Sequence, residues 1–180
     1  MQIDLAANYF ELFSLPIRFE VDLDKLASRY RSLQTESHPD RFANADAQTR
    51  RRSVQFAALI NEANETLKVP LKRGFYLLKL RGLDDSNDAR TTSDTEFLMQ
   101  QMEYRERLEE IPNAADPLAS ADGLREDIVA ENTRLFKSFE KEYIADNNNA
   151  AQECLMKLQF YNRLLSQLDD TEARLEDELL

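Results

Sequence analysis

Cysteine and histidine each occur once in these 180 residues, as Cys154 and His38; tryptophan is absent and there are only three glycines. A single cysteine excludes an internal disulfide framework. One cysteine with one histidine cannot assemble the usual zinc or iron-sulfur ligand set within the chain. No resident metal or cofactor is expected, and any metal chemistry falls to a partner. No apolar run approaches membrane-spanning length, and the first residues carry Asp4 and Glu11 without a basic start. A cytoplasmic protein with no membrane partner is the expectation.

Charge is unevenly spread. Residues 1–80 carry 12 Lys/Arg against 10 Asp/Glu, net +2, whereas residues 81–180 carry 11 against 24, net −13, which together give the chain's −11. The acidic half argues against nucleic acid as a partner, because a binder needs a basic stripe to release counterions from phosphates. The two halves are built to face different partners.

Few glycines and few β-branched residues, set in a background of Leu, Ala, Glu, Gln and Arg, predict an all-α protein. A short helix from about Tyr9 to Phe13 is closed by Pro16. Asp22 can cap a second, whose Leu23, Leu26, Tyr30 and Leu33 share a face opposite Lys25 and Arg29. A third places Phe56, Ile60, Ala63 and Leu67 in register and must stop before Pro70. Pro70 suits the first turn of a fourth helix, with Leu71, Phe75 and Leu78 on one face and Gly82 just past its end. This gives a first domain over residues 1–82.

The polar stretch 83–93 has no apolar periodicity and reads as a linker to a second domain over residues 94–180. Ser93 with Glu96 predicts a capping box opening a fifth helix to about Ile111. Pro112 and Pro117 mark the next turn. A sixth helix is expected from about Asp122 to Ala145 and a seventh capped by Asn149. In the last helix Ala151, Leu158, Leu165 and Leu179 repeat at one heptad position, and Cys154, Tyr161, Leu168 and Leu175 at the complementary one. Three helices joined by short turns imply an antiparallel bundle, with Cys154 as a small apolar residue of its seam.

Two places carry binding chemistry. Pro39 disfavours helix at His38 and fixes its own φ, so His38-Pro39-Asp40 is a stiff loop presented between two helices. An acid-base pair of His38 and Asp40 has no nucleophile, glycine-rich loop or metal cluster beside it, so binding rather than catalysis is expected. On the fifth helix, Phe97, Tyr104, Leu108 and Ile111 suffice for the core. That leaves Leu98, Met99 and Met102 as a surplus apolar face bordered by Glu103, Glu106 and Glu110. Met156, Phe160 and Leu164 fall away from the seam of the last helix. An apolar stripe rimmed by charge is the form of a protein-binding site, and methionine suits a surface that adapts to its partner.

Tyr30-Arg31, His38-Pro39-Asp40-Arg41, Ile60-Asn61-Glu62-Ala63, Glu65-Thr66-Leu67 and Lys72-Arg73 agree in order and spacing with the J-domain family, which the first domain resembles. The resemblance implies an antiparallel helix pair displaying the tripeptide, with flanking helices, and binding to a DnaK-type chaperone through His38, Pro39, Asp40, Arg41, Lys25 and Arg29. Arg50, Arg51 and Arg52 stand as further cations of open role. Glu36-Ser37 replaces the lysine-tyrosine that many J-domains carry before the tripeptide, which fits a member devoted to one specialised chaperone.

Over nearly the whole chain, Tyr9-Phe10-Glu11-Leu12-Phe13, Leu15-Pro16, Thr95-Glu96-Phe97-Leu98-Met99 and Arg105-Glu106 resemble the HscB family of iron-sulfur cluster assembly. That resemblance implies a non-enzymatic co-chaperone with two partners. HscA, whose ATPase it stimulates, is addressed by the J-domain. The cluster scaffold IscU is held by Leu98, Met99, Met102, Glu103, Glu106, Glu110 and Phe160.

Overall fold

Among the described residues there are seven α-helices, in the order the sequence predicts: α1 Tyr9–Leu12, α2 Leu23–Ser37, α3 Ala47–Lys68, α4 Pro70–Leu80, α5 Thr95–Glu110, α6 Pro117–Ile144 and α7 Asn148–Glu178. The computed structural model describes residues 7–42, 45–83 and 94–178, among which there is no strand. Two units separate, Met1–Leu83 and Asp84–Leu180. The expected linker falls, but for Leu83, outside the described residues, as does Ser93.

In the first unit α1 is too short to stand alone and is held by its surroundings. Asn8 Oδ1 accepts from the Glu11 amide at 3.0 Å and Glu11 Oε2 from the Asn8 amide at 3.0 Å, while Phe10 and Phe13 are fully buried. The Tyr9 hydroxyl donates to Glu62 at 2.7 Å, and its ring stacks on Tyr76 at 4.2 Å. Burial, and then the Glu62 bond, push the Tyr9 phenol up.

Asp22 caps α2 as expected, accepting from the Lys25 amide at 2.9 Å. The predicted apolar face of α2 is only partly core: Leu26 is buried, whereas Leu23, in the first turn, is 52 % exposed. Tyr30 serves as a polar tie instead, donating to Asn61 of α3 at 3.0 Å and accepting from Gln34 at 2.6 Å. On α3, Phe56, Ile60, Ala63 and Leu67 are all buried. Pro70 occupies the first turn of α4, where no amide donor is needed. Arg73 is buried too: its guanidinium donates to the Leu67 carbonyl at 2.5 Å and lies 5.0 Å over the Phe19 ring, so it closes the end of α3.

The second unit is built on the long α6/α7 pair, with α5 completing a three-helix bundle. Four boundaries or faces differ from the sequence expectation. The cap of α5 is Asp94, which accepts from the Phe97 amide at 3.1 Å. Helix α6 starts at Pro117 rather than Asp122, because Asp116 caps it through the Ala119 amide at 3.0 Å and proline fits the first turn. Helix α7 starts at Asn148 rather than after Asn149, with the Ala151 amide on the Asn147 carbonyl at 3.0 Å.

The seam of α7 is the fourth difference. Ala151, Leu155, Leu158, Tyr161, Leu164, Leu168 and Thr171 are buried, whereas Cys154, Leu165 and Leu175 are half-buried. A straight helix drifts by ~20° per heptad against a strict 3.5-residue repeat, so a heptad frame drawn from Ala151 leaves the buried stripe by Leu165. Leu164, expected on a surplus stripe, is therefore a core residue at 2 % exposure.

Candidate partner-binding sites

Helix α2 ends at Ser37 with His38 as its cap, and Pro39–Phe42 form a single 3₁₀ turn, so the tripeptide leads out of one helix on a short, constrained path. The Arg41 amide donates to the His38 carbonyl at 3.0 Å and the Arg41 guanidinium to the Thr35 carbonyl at 3.3 Å. Both bonds tie the turn back onto α2. Ser37 is buried with its hydroxyl on the Leu33 carbonyl at 2.7 Å, which fixes the last turn of the helix. His38 is exposed; the side chains of Pro39 and Asp40 lie outside the described residues.

Lys25, Arg29 and Arg41 are exposed, as are Arg50, Arg51 and Arg52 at the start of α3. Arg29 donates to the Ser14 hydroxyl at 2.9 Å, so one cation of this face also anchors the loop after α1. Lys25 borders a shallow recess lined by Leu15, Pro16, Arg18 and Val21.

The α5 face is displayed as the periodicity requires. Phe97, Tyr104 and Ile111 are buried, while Leu98, Met99 and Met102 are 38 %, 67 % and 64 % exposed. Glu103, Glu106 and Glu110 are exposed as well. At about 100° per residue these residues divide into two adjacent stripes. One runs Leu98, Met102, Arg105, Glu109; the other runs Met99, Glu103, Glu106, Glu110. Phe160 of α7 is half-buried, packing edge-on to Phe97 at 5.7 Å between ring centres, and the Arg105 guanidinium lies 5.6 Å over its ring. The structure thus places Phe160 beside the first stripe. Met156 is half-buried in the same helix.

Several contacts that hold α5 in place were not read from sequence. Lys157 donates to Asp94 at 2.5 Å with its ammonium 5.2 Å over Phe97. The Tyr161 hydroxyl donates to Gln100 at 2.7 Å, and its ring meets both Phe97 and Tyr104. Arg107 pairs with Asp127 at 2.8 Å. The Lys157 bond, then the Phe97 amide, hold the Asp94 carboxyl below its ordinary value. Burial pushes the Tyr161 phenol and the Cys154 thiol up, so Cys154 behaves as a small apolar group. Tyr104 was legible as a core residue of α5; the pairing of Tyr161 with Gln100, 61 positions away, was not.

An antiparallel helix pair carrying a His-Pro-Asp turn, followed in sequence by a three-helix bundle, is the architecture of a J-domain co-chaperone with its own C-terminal helical domain. Residues 93–169 match the family described as the HSCB C-terminal oligomerisation domain. The chain is 44 % identical over 172 residues to the co-chaperone protein HscB homolog of Aeromonas salmonicida, covering 96 % of this chain and 98 % of that one. Among solved structures, the chaperone HscB from Vibrio cholerae is similar at a TM-score of 0.84 and 40 % identity, over 97 % of this chain and all of that one. The human co-chaperone protein HscB is similar at a TM-score of 0.87 and 29 % identity, over 94 % and 84 %. The chain belongs to the HscB co-chaperone family.

Proposed function

We propose that this co-chaperone delivers the iron-sulfur scaffold IscU to HscA, a specialised DnaK-type chaperone, and stimulates its ATPase, so supporting cluster assembly and transfer in the cytoplasm. The J-domain over residues 1–82 addresses HscA, the stretch 83–93 links, and the bundle over residues 94–180 holds IscU. The observation that carries this reading is the exposure of Leu98, Met99 and Met102 on a helix whose other side already fills the core. Such a face gains by losing its water to a partner.

At the J-domain, Asp40 offers a carboxylate to a chaperone arginine, a charge-assisted bond that both holds and orients. Pro39 and His38 fix where it points, and Lys25, Arg29 and Arg41 draw in an acidic chaperone surface. Docking works by population shift: it stimulates hydrolysis only by favouring the hydrolysis-competent state over the other. No bond is made or broken in this chain. At the bundle, Leu98, Met99, Met102 and Phe160 bury apolar surface against the scaffold, while Glu103, Glu106 and Glu110 face its basic groups. Holding both partners on one chain raises their effective concentration toward each other.

Single-turnover ATP hydrolysis by HscA, measured with this chain, with IscU and with both, tests the two ends together. Synergy is expected. Asp40→Asn should abolish stimulation with an unchanged far-UV spectrum; retained stimulation would remove the J-domain assignment, and stimulation without synergy the scaffold assignment.

A further inference from the structure

Helices α6 and α7 are joined by the short turn 145–147 at one end and run antiparallel toward a free end at the other. Along most of its length the pair is tightly packed: Leu155, Leu158, Tyr161, Leu164 and Leu168 of α7 are each at most 2 % exposed. Beyond Leu168 this changes. Among the described residues no apolar side chain of α7 after Leu168 is buried, since Ala173 is exposed and Leu175 half-buried. In the first two turns of α6 only Ala121 and Leu124 are buried, with Gly123 between them.

Two further features weaken this end. Glycine inside a helix lowers its stability relative to alanine, and packing does not require Gly123, because a Cβ built there meets nothing within 4 Å. From Asp169 to Asp177 α7 carries five carboxylates and one cation, Arg174, and its last turn has no basic residue. Those carboxylates stand at the negative end of the helix dipole. Arg174 turns to its own helix, donating to the Asp170 carbonyl at 3.2 Å and the Thr171 hydroxyl at 3.1 Å.

One side chain bridges the two helices here. Arg125 Nη2 reaches Asp169 at 2.7 Å and also Glu172, three residues further along α7, so a single guanidinium from α6 ties down two positions of the acidic segment. We propose that this free end of the bundle is a conformational device: residues 117–124 and 169–178 open and close as one unit while the rest of the pair stays packed, and Arg125 is the latch. A segment held by few apolar contacts opens with less free energy than the whole domain. Opening bares Ala121, Leu124 and Leu168. It takes place where α5 ends, because only Ala114, Ala115 and Asp116 separate α6 from the turn Ile111–Asn113 that packs on it. The device is a property of the chain itself and stands whether or not either proposed partner binds.

Hydrogen exchange of the full-length chain, read peptide by peptide in a mass spectrometer, tests this. In the wild type, peptides covering 117–124 and 169–178 should exchange at least about tenfold faster than one covering 155–164, as expected of a local opening. Arg125→Met keeps the stem and removes both bonds, and should speed the two end peptides together by about tenfold, the scale of a charge-assisted hydrogen bond, while leaving 155–164 unchanged. Gly123→Ala should act in the opposite sense and slow both end peptides about fivefold, although it touches α6 alone. An end as slow as the 155–164 peptide in the wild type overturns the proposal. So does an Arg125→Met effect spread equally along α6 and α7, which would make the residue a contributor to global stability only, or a Gly123→Ala effect confined to 117–124, which would show that the two segments open separately.

Discussion

Three helices end on the same arrangement. After α1, α4 and α6 the residue beyond the cap takes a left-handed backbone, Ser14 at φ 53°, Gly82 at 77° and Asp146 at 58°. In each case the next amide reaches back to the third-last helical carbonyl: Leu15 to Phe10 at 2.8 Å, Leu83 to Leu78 at 3.1 Å and Asn147 to Glu142 at 2.9 Å. This is the Schellman termination, which satisfies carbonyls that the helix leaves open. Glycine pays no Cβ penalty there, and a Cβ built on Gly82 meets nothing within 4 Å. Gly82→Ala should therefore lower unfolding stability by about 1 kcal/mol through backbone strain alone, read as a shifted urea midpoint at constant slope. The Gly82 stop was legible from sequence. The one at Ser14 was not, because serine does not announce a left-handed turn and Pro16 nearby supplied a simpler reason for the helix to end.

At the scale of elements, α7 separates periodicity from packing. A heptad frame put Leu165 in the core and Leu164 outside it, whereas Leu164 is 2 % exposed and Leu165 half-buried. Leu164→Ala should cost about 2–5 kcal/mol in chemical denaturation, as for a buried leucine, and Leu165→Ala clearly less; equal costs would restore the heptad frame. Helix α5 is tied to α7 at its first turn by Asp94, which caps the helix and accepts from Lys157. The folded-state value of Asp94 lies below its ordinary 3.8. Its contribution is thus present above 3.8 and lost as the pH falls through the lowered value. The Phe97 amide resonance should report this titration with a midpoint below 3.8, the ordinary value, and a midpoint at or above 3.8 would contradict the bond.

For the whole molecule the asymmetry of charge is the leading fact, net +2 over residues 1–80 against −13 over residues 81–180. Long-range attraction between exposed charges acts mainly on the rate of encounter and is screened over roughly 10 Å at 0.1 M salt. Under the proposed function, association with HscA in stopped-flow measurements should slow markedly as salt rises, while dissociation changes little. A rate independent of salt would leave Lys25, Arg29 and Arg41 without the steering role. The family membership rests on similarity over almost the full chain.

The sequence by itself determined the all-α class, the order of the helices, the break after α2 at His38-Pro39 and the exposed Leu98, Met99 and Met102, because each follows from local rules: proline geometry, capping chemistry and the 3.6-residue period. Tertiary structure decided which apolar residues those helices actually bury and what holds α5 against α7. Lys157 and Asp94 stand 63 positions apart, and Arg105 and Phe160 belong to different helices. Such pairings are set by how side chains fill the space between helices, and no period along one strand of sequence encodes them.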